Sequence, residues 1–280
     1  MEIEAEIRTI LARKHELESQ AYEHQIETEY KLYEDNIHTT AQALGFTDDI
    51  EVLQVSYHHS KRAVVMPKVP EEFQRVIDAV KRGESVSGDI PMSDLTDAIG
   101  YEWFGDEVVN AFVSLLQSKV IGVLNSFFFT KLSDTWKLKG NEINYNNTKR
   151  WATKINFFSY EKVLIPINIK NTHWVLGVIN NIDKTVSVLD SLSYPMQEIA
   201  EKILTFVTRF GEENGRVSNY QIVTTDVPKQ KNGRDCGAFT CKFADCISLD
   251  AEFEFTQDDI QNWRSMVVAQ IVLKKLIVPR

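Results

Sequence analysis

Cysteine is scarce in this chain and badly placed for a metal: Cys236, Cys241 and Cys246 fall within eleven residues, at five-residue steps. That spacing does not match the C-x-x-C of a zinc site, and no distant cysteine is present to complete one. Basic charge is also in deficit, 31 Lys and Arg against 40 Asp and Glu, for a net charge of −9. A dedicated nucleic-acid binder is disfavoured, because phosphates are neutralised by clustered cations. No stretch approaches the roughly 18 apolar residues of a membrane span. The start, Met1-Glu2-Ile3-Glu4-Ala5-Glu6, lacks the basic-then-apolar pattern of a secretory signal. The expectation is an intracellular, reducing compartment in which a free thiol persists. Missing as well are the G-x-S-x-G elbow, the phosphate-binding Gly-Lys-Ser/Thr loop, H-E-x-x-H and a G-x-G-x-x-G after a strand.

What is present is an ordinary globular composition, 43% hydrophobic and 25% charged over 280 residues, enough for one large domain plus an extension. Residues 1 to about 45 are rich in Glu, Lys and His, with apolar positions at Ile3, Ile7, Ile10, Leu11 and Leu17. That pattern predicts a helix with a narrow apolar stripe, either a solvated extension or a partner-binding coiled coil. A connector runs from Gly45 to Pro70, and its His58-His59 pair has no further metal-ligating neighbour. The reading therefore divides the chain into a charged helical extension with its connector, 1–66, and a folded domain, 67–280.

Pro70 before and Gly83 after predict a helix over 71–82. Asp106 is the expected N-cap of an amphipathic helix running to Leu116. Residues 125–132, Asn-Ser-Phe-Phe-Phe-Thr-Lys-Leu, predict a second apolar helix. Strands are expected near 163–169, 174–180, 185–190 and 220–227, with a long helix from Gln197 to Phe210 between the last two. Thr256-Gln257-Asp258-Asp259 resembles a capping box opening the final helix. Strands enclosed by runs of helices give an α+β domain.

Within that frame one set of residues carries chemistry. His173-Trp174 head an apolar strand, and Asp190 closes the next one, seventeen positions on. Gln230 precedes Cys236 by six, inside Gln230-Lys231-Asn232-Gly233-Arg234-Asp235-Cys236-Gly237. Helical periodicity after Cys236 places its sulfur at a helix N-terminus, where the dipole and free N–H groups favour a thiolate. His173 is then the proton acceptor, and Asp190 the group that fixes its tautomer. Gln230 offers a neutral N–H to an oxyanion. Taken singly, each of these has an ordinary structural reading: a buried small side chain, a core histidine, a turn aspartate, a loop glutamine. Together they are the inventory for acyl transfer through a thioester. Cys241 and Cys246 read as small core hydrophobes. Trp103 and Trp174 are either core or the facing walls of a slot that excludes any Cβ and so admits a Gly-Gly chain end.

The region from about 70 to 280 resembles the catalytic domain of the sentrin/SUMO-specific proteases, within the adenain-like class of cysteine proteases. The resemblance rests on Trp103-Phe104-Gly105-Asp106-Glu107-Val108-Val109-Asn110, the Phe-rich segment 125–132, Lys149-Arg150-Trp151, Ile165-Pro166-Ile167-Asn168, His173-Trp174, Leu189-Asp190-Ser191-Leu192 and the segment around Cys236. It implies a papain-like, adenain-like fold with the cysteine at the start of a helix packed on a central, mostly antiparallel sheet. It implies a His173–Asp190–Cys236 triad with Gln230 in the oxyanion hole, and no metal or organic cofactor. It also implies Trp103 and Trp174 flanking a diglycine tail, with Asp106, Arg150, Trp151 and Asn168 on the surface gripping a folded SUMO modifier.

The chain departs from the family pattern at Phe104-Gly105, where Leu-Asn is common, at Ser87, where several members carry arginine, and in a loop before His173 that is longer by one residue. The implied activity is hydrolysis of the SUMO Gly–Lys isopeptide bond and of the SUMO precursor's terminal peptide bond, in the nucleus or at its envelope. The rival readings are a deneddylase or deubiquitinase on the same scaffold, whose modifiers also end in Gly-Gly, and a non-catalytic modifier-binding scaffold.

Overall fold

The computed structural model of the protein describes residues 69–277 except 87, 217 and 218. The extension expected at 1–66, His58-His59 and Ser87 lie outside the described residues.

The sheet is built around His173–Asn180 (β3), whose first seven residues are all buried. Its order is β1-β2-β3-β4-β5, where β1 is Ile121–Val123, β2 Lys162–Ile169, β4 Thr185–Leu189 and β5 Gln221–Ile222. The two central pairings, β2 with β3 and β3 with β4, are antiparallel. The short edge pairings, β1 with β2 and β4 with β5, are parallel. Apolar runs without alternation are expected of strands covered on both faces, and successive residues of β3 serve opposite cores. Trp174, Leu176 and Val178 join one apolar cluster, while Val175 and Ile179 join the other.

The first cluster is supplied by helices α1 (Glu71–Lys81), α2 (Met92–Ile99), α3 (Asp106–Leu115), α7 (Cys236–Ser248) and α8 (Gln257–Leu273). The second is supplied by α4 (Phe127–Leu132), α5 (Tyr145–Lys154), the single 3₁₀ turn Phe157–Ser159 and α6 (Gln197–Glu213). The result is the expected α+β arrangement, a five-stranded sheet between two helical layers.

Local chemistry accounts for most boundaries. Helix α1 follows Pro70, carries Glu71 and Glu72 in its first turn and Lys81 in its last, which suits its dipole. It ends in a Schellman turn: Gly83 takes φ +71°, its N–H reaches Val80 O at 3.0 Å, and Glu84 N reaches Ala79 O at 2.9 Å. Helix α8 opens on the capping box read from the sequence, Thr256 N donating to Asp259 Oδ2 at 2.8 Å while Thr256 Oγ1 accepts from Asp258 N at 3.3 Å.

Other expectations need correction. Gly105, not Asp106, occupies the N-cap of α3, and Asp106 is its first helical residue. The strand expected over 220–227 shrinks to Gln221–Ile222, extended by a single ladder bond from Val223 N to Val186 O at 2.9 Å. Helices α2 and α5 had no counterpart in the pattern. Helix α5 is mostly polar and buries only Tyr145, Thr148 and Ala152 along its length. Among the described residues no helix is long and apolar enough to cross a membrane.

Candidate active site

His173 is the first residue of β3, paired with Ile169 of β2 across a three-residue turn. That turn is closed by Thr172 N on Ile169 O at 2.9 Å, with Lys170 and Asn171 at φ +52° and +58°. Asp190 lies one position beyond the end of β4. Because β3 and β4 are antiparallel, the start of one meets the end of the other, and His173 Nε2 stands 2.5 Å from Asp190 Oδ1. The carboxylate also accepts the backbone N–H of Leu192 on Oδ1 at 3.0 Å and that of Tyr194 on Oδ2 at 2.6 Å. The Tyr194 ring meets the imidazole edge-on, 5.4 Å between centres.

Burial works against charge on Asp190, yet hydrogen bonds from His173, Leu192 and Tyr194 outweigh it and hold the carboxyl below its ordinary range. An ionised carboxylate is acceptor-only, so Nε2 must carry the proton. For His173 burial is again the largest influence and lowers the value. The bond with Asp190, the nearby Cys236 and the charge on each reverse that and raise it to about 9. The second ring nitrogen, Nδ1, is buried with no formed hydrogen bond. It is the atom left free to take a proton from Cys236, and such contacts commonly tighten only when substrate binds.

Cys236 is the first residue of α7, buried at 1% exposure. Asp235 sits at the N-cap, but in a near-helical conformation, φ −87° and ψ 4°, and makes no side-chain cap bond. Its carboxylate turns away: Oδ1 accepts Arg264 Nη1 at 2.8 Å, and Oδ2 accepts Gln257 Nε2 and Asn232 Nδ2 at 2.7 Å each. The loop ahead of it is closed by Asn232 Oδ1, which accepts the N–H of Arg234 at 3.0 Å and of Asp235 at 3.1 Å. Only glycine fits at position 237, since a Cβ there would stand 2.6 Å from Phe104 Cβ and 3.3 Å from Trp174 Cδ1. Cys241 and Cys246 are buried deeper in the same helix, and burial pushes both thiols up.

Gln230 reaches this site through the residue after Asp190. Ser191 Oγ donates to Gln230 Oε1 at 2.6 Å, and Gln230 N donates to Ser191 O at 3.0 Å. Gln230 Nε2 spends one proton on Asn232 O at 2.5 Å, which leaves its second N–H.

The remaining sequence-derived positions divide. Trp174 is 2% exposed, a core residue whose Nε1 donates to Phe104 O at 2.9 Å. Trp103, one residue before Phe104, is 44% exposed. Asn168 lies opposite Trp174 in the β2–β3 register, and its Oδ1 is buried without a partner. Asp106 accepts the hydroxyl of Ser126 at 2.7 Å, ahead of α4, while Trp151 packs on Phe128 within α4 at 6.0 Å between rings. Arg150 is exposed on α5, which packs in the cluster across the sheet from α7. The structure thus gathers His173, Asp190, Gln230, Cys236 and Trp174 in one place, and leaves Asp106, Arg150 and Trp151 around α4 and α5.

Sequence reading missed Ser191, Asp235 and Arg264. Arg264 carried the only available signal, a lone cation in Trp263-Arg264-Ser265-Met266-Val267-Val268, an otherwise buried run of the last helix.

Residues 102–272 match the model of the Ulp1 protease family, C-terminal catalytic domain. The chain belongs to the Ulp1 protease family. It is 31% identical over 202 residues to sentrin-specific protease 2 of Homo sapiens, and 32% over 202 residues to that of Rattus norvegicus. Each match covers 67% of this chain, and the chain spans about a third (33%) of the length of those relatives. In fold it is similar to the C-terminal Ulp1 protease domain solved in complex with Smt3, the yeast ortholog of SUMO. That likeness has TM-score 0.65 and 23% identity, over 76% of this chain and 99% of that one. The Chaetomium thermophilum Ulp1-like SUMO protease catalytic domain is also similar, at TM-score 0.63 and 22% identity, over 78% and 94%.

Proposed function

We propose that this chain is a SUMO-specific cysteine protease, with residues 67–280 as its catalytic domain and Cys236 as its nucleophile. The observation that carries the reading is the buried imidazole of His173, held on Asp190 at 2.5 Å with its Nδ1 left without a partner. A base so placed takes the thiol proton and keeps it as an imidazolium beside the sulfur anion. The sulfur attacks the carbonyl carbon of the modifier's terminal Gly. The oxyanion that forms is met by the second N–H of Gln230 Nε2 and the backbone N–H of Cys236. His173 then gives its proton to the departing amine, either a lysine side chain or the peptide that follows Gly in a precursor. The acyl group remains on sulfur as a thioester. Water, deprotonated by His173, attacks it and releases the modifier's carboxylate and the thiol.

A diglycine chain end suits this site. Cys236 is 1% exposed, and Phe104 and Trp174 crowd the adjacent Gly237; a passage to the sulfur between such walls would admit only a chain end without side chains. Trp103 and Trp174 would line that passage, and Asp106, Arg150, Trp151 and Asn168 would hold the folded modifier outside it. The names of the relatives favour SUMO among diglycine-tailed modifiers, and family habit favours the nucleus or nuclear envelope.

The test is turnover of fluorogenic reporters built on SUMO, the neddyl modifier and ubiquitin. SUMO should be cleaved fastest by a wide margin, and the Cys236→Ser chain should cleave none. Preference for another tail would transfer the assignment to a deneddylase or deubiquitinase.

A further inference from the structure

Aspartate is among the side chains best suited to cap a helix, accepting the N–H groups of its first turn. Asp235 occupies that position on α7 and does not do so. Its carboxylate instead accepts from Arg264, Gln257 and Asn232, at 2.7–2.8 Å. The strongest of those partners, Arg264, is completely buried at 0% exposure. It is held in place by backbone carbonyls of the segment before Trp103: Nε donates to Ala98 O at 2.9 Å and Gly100 O at 3.0 Å, and Nη2 to Asp97 O at 3.2 Å and to Glu102 O. Its guanidinium also lies over the Phe104 ring, 4.7 Å from the centre.

A buried ion pair is a poor stabiliser in itself, because desolvation offsets much of the attraction. This pair has a more specific consequence, since its anion is the residue immediately before Cys236. A carboxylate free to turn onto α7 would take the N–H groups that a thiolate and an oxyanion require. Even without turning, it would set an unbalanced negative charge beside the sulfur.

We propose that Arg264 is a positioning residue: by locking the Asp235 carboxylate into a closed ion pair, it keeps that anion off the N-terminus of α7 and reserves the first N–H groups for Cys236. The inference rests on Cys236 being the nucleophile. Arg264 is sensitive to the neighbourhood it is said to control. Burial lowers its pKa most, Asp235 opposes that, and the charges of Arg234 and of Cys236 itself both register on it. Other charged groups at this end of α7 include His173 from β3, itself paired with Asp190, Lys229, whose Nζ donates to Asp190 O at 3.0 Å, and Arg234 on the loop ahead of α7, whose side chain reaches Tyr101 O at 3.1 Å. None of these donates a hydrogen bond to the Asp235 carboxylate, so the variants leave their own hydrogen bonds in place.

The experiment is the pH dependence of iodoacetamide labelling in the full chain, with the labelled cysteine located by peptide mass. It compares the native protein with Arg264→Gln, Asp235→Asn and the double variant. Arg264→Gln leaves an uncompensated anion, so the midpoint for Cys236 labelling should move up by about one pH unit, with turnover lower by roughly 10- to 100-fold. Asp235→Asn leaves an uncompensated cation, so the midpoint should move down. The double variant should return close to the native midpoint.

A purely architectural role would lower the melting temperature and turnover of both single variants and leave every midpoint in place, which overturns the proposal. If Arg264→Gln does not fold, Asp235→Asn alone decides, because a downward midpoint supports the proposal and an unchanged one rejects it. If native Cys236 labels no faster than Cys241 and Cys246, the nucleophile assignment fails and the proposal with it. Fast native labelling with immobile midpoints rejects Arg264 alone.

Discussion

Ser191 donates its hydroxyl to Gln230 Oε1 at 2.6 Å, across 39 residues of sequence, while the residue before it, Asp190, holds His173. One dipeptide after β4 therefore orients both the proposed base and the proposed oxyanion donor. The carbonyl of Asn232, which can only accept, forbids the flipped amide, so Nε2 faces Asn232 and the Ser191 hydroxyl is left to donate to Oε1. Ser191→Ala should lower kcat about tenfold with KM nearly unchanged, a fraction of the 10²–10³ that follows loss of a whole oxyanion donor. Steady-state kinetics on a SUMO-tailed reporter measures it. In a Gln230→Ala background the same change should have little further effect, and additive losses would refute the coupling.

Asp190→Asn removes the charge that keeps Nε2 protonated. A loss in kcat of about 10³- to 10⁴-fold is expected, as when a triad carboxylate is neutralised with its geometry intact.

The same pair sets a pH dependence of stability. His173 is raised in the folded chain to about 9 from an ordinary value near 6.5. Its contribution is complete below about 6.5 and is lost as pH rises through about 9. Asp190 is held low, so its share is present above the ordinary carboxylate range and lost as pH falls below it. Urea unfolding of the native chain should therefore show declining stability between pH 6.5 and 9. Asp190→Asn should flatten that decline, and a parallel curve in the variant would remove His173 as its source.

Gly237→Ala would place a Cβ 2.6 Å from Phe104 Cβ, an atom fixed to backbone that cannot swing aside. Overpacking of this kind costs about 1–3 kcal/mol. The melting temperature should drop by roughly 3–10 °C, and KM should rise as Phe104 moves Trp103. Differential scanning fluorimetry reads the first effect and reporter kinetics the second. A variant as stable as the native chain would show that the contact is slack.

Cys236→Ser should reduce turnover by at least about 10⁴-fold, because the triad acts as a unit. It should still capture SUMO, since the proposed modifier-binding surfaces around Trp103 and α5 are untouched. Pull-down with SUMO-coated beads checks this. Loss of capture along with activity would mean that the sulfur, rather than the surrounding surface, holds the modifier.

Much of this architecture was legible in advance. Buried strands announce themselves as apolar runs, so β2, β3 and β4 emerged within a residue of their bounds. The caps of α1 and α8 are local chemistry, a Schellman glycine and a Thr–Asp box, and were readable for that reason. Helix α5 escaped because its buried positions, Tyr145, Thr148 and Ala152, are too few and too polar to form a stripe. Asp106 misled because capping depends on backbone angles that residue type only biases, and Gly105 took the position instead.

By itself the sequence determined which chemical groups are available and in what order: thiol, imidazole, carboxylate and amide, each tied to a strand end or helix start by local periodicity. Only the tertiary structure decided how they are held. Trp174 became a core strut bonded to Phe104, Asp235 was turned from helix cap to ion-pair partner, and Arg264 reached Ala98 across 166 positions. Hydrogen bonds of that range are fixed by the antiparallel pairing of strands and the packing of α8 beneath α7. No local pattern encodes them, because each partner's environment is made by a distant part of the chain.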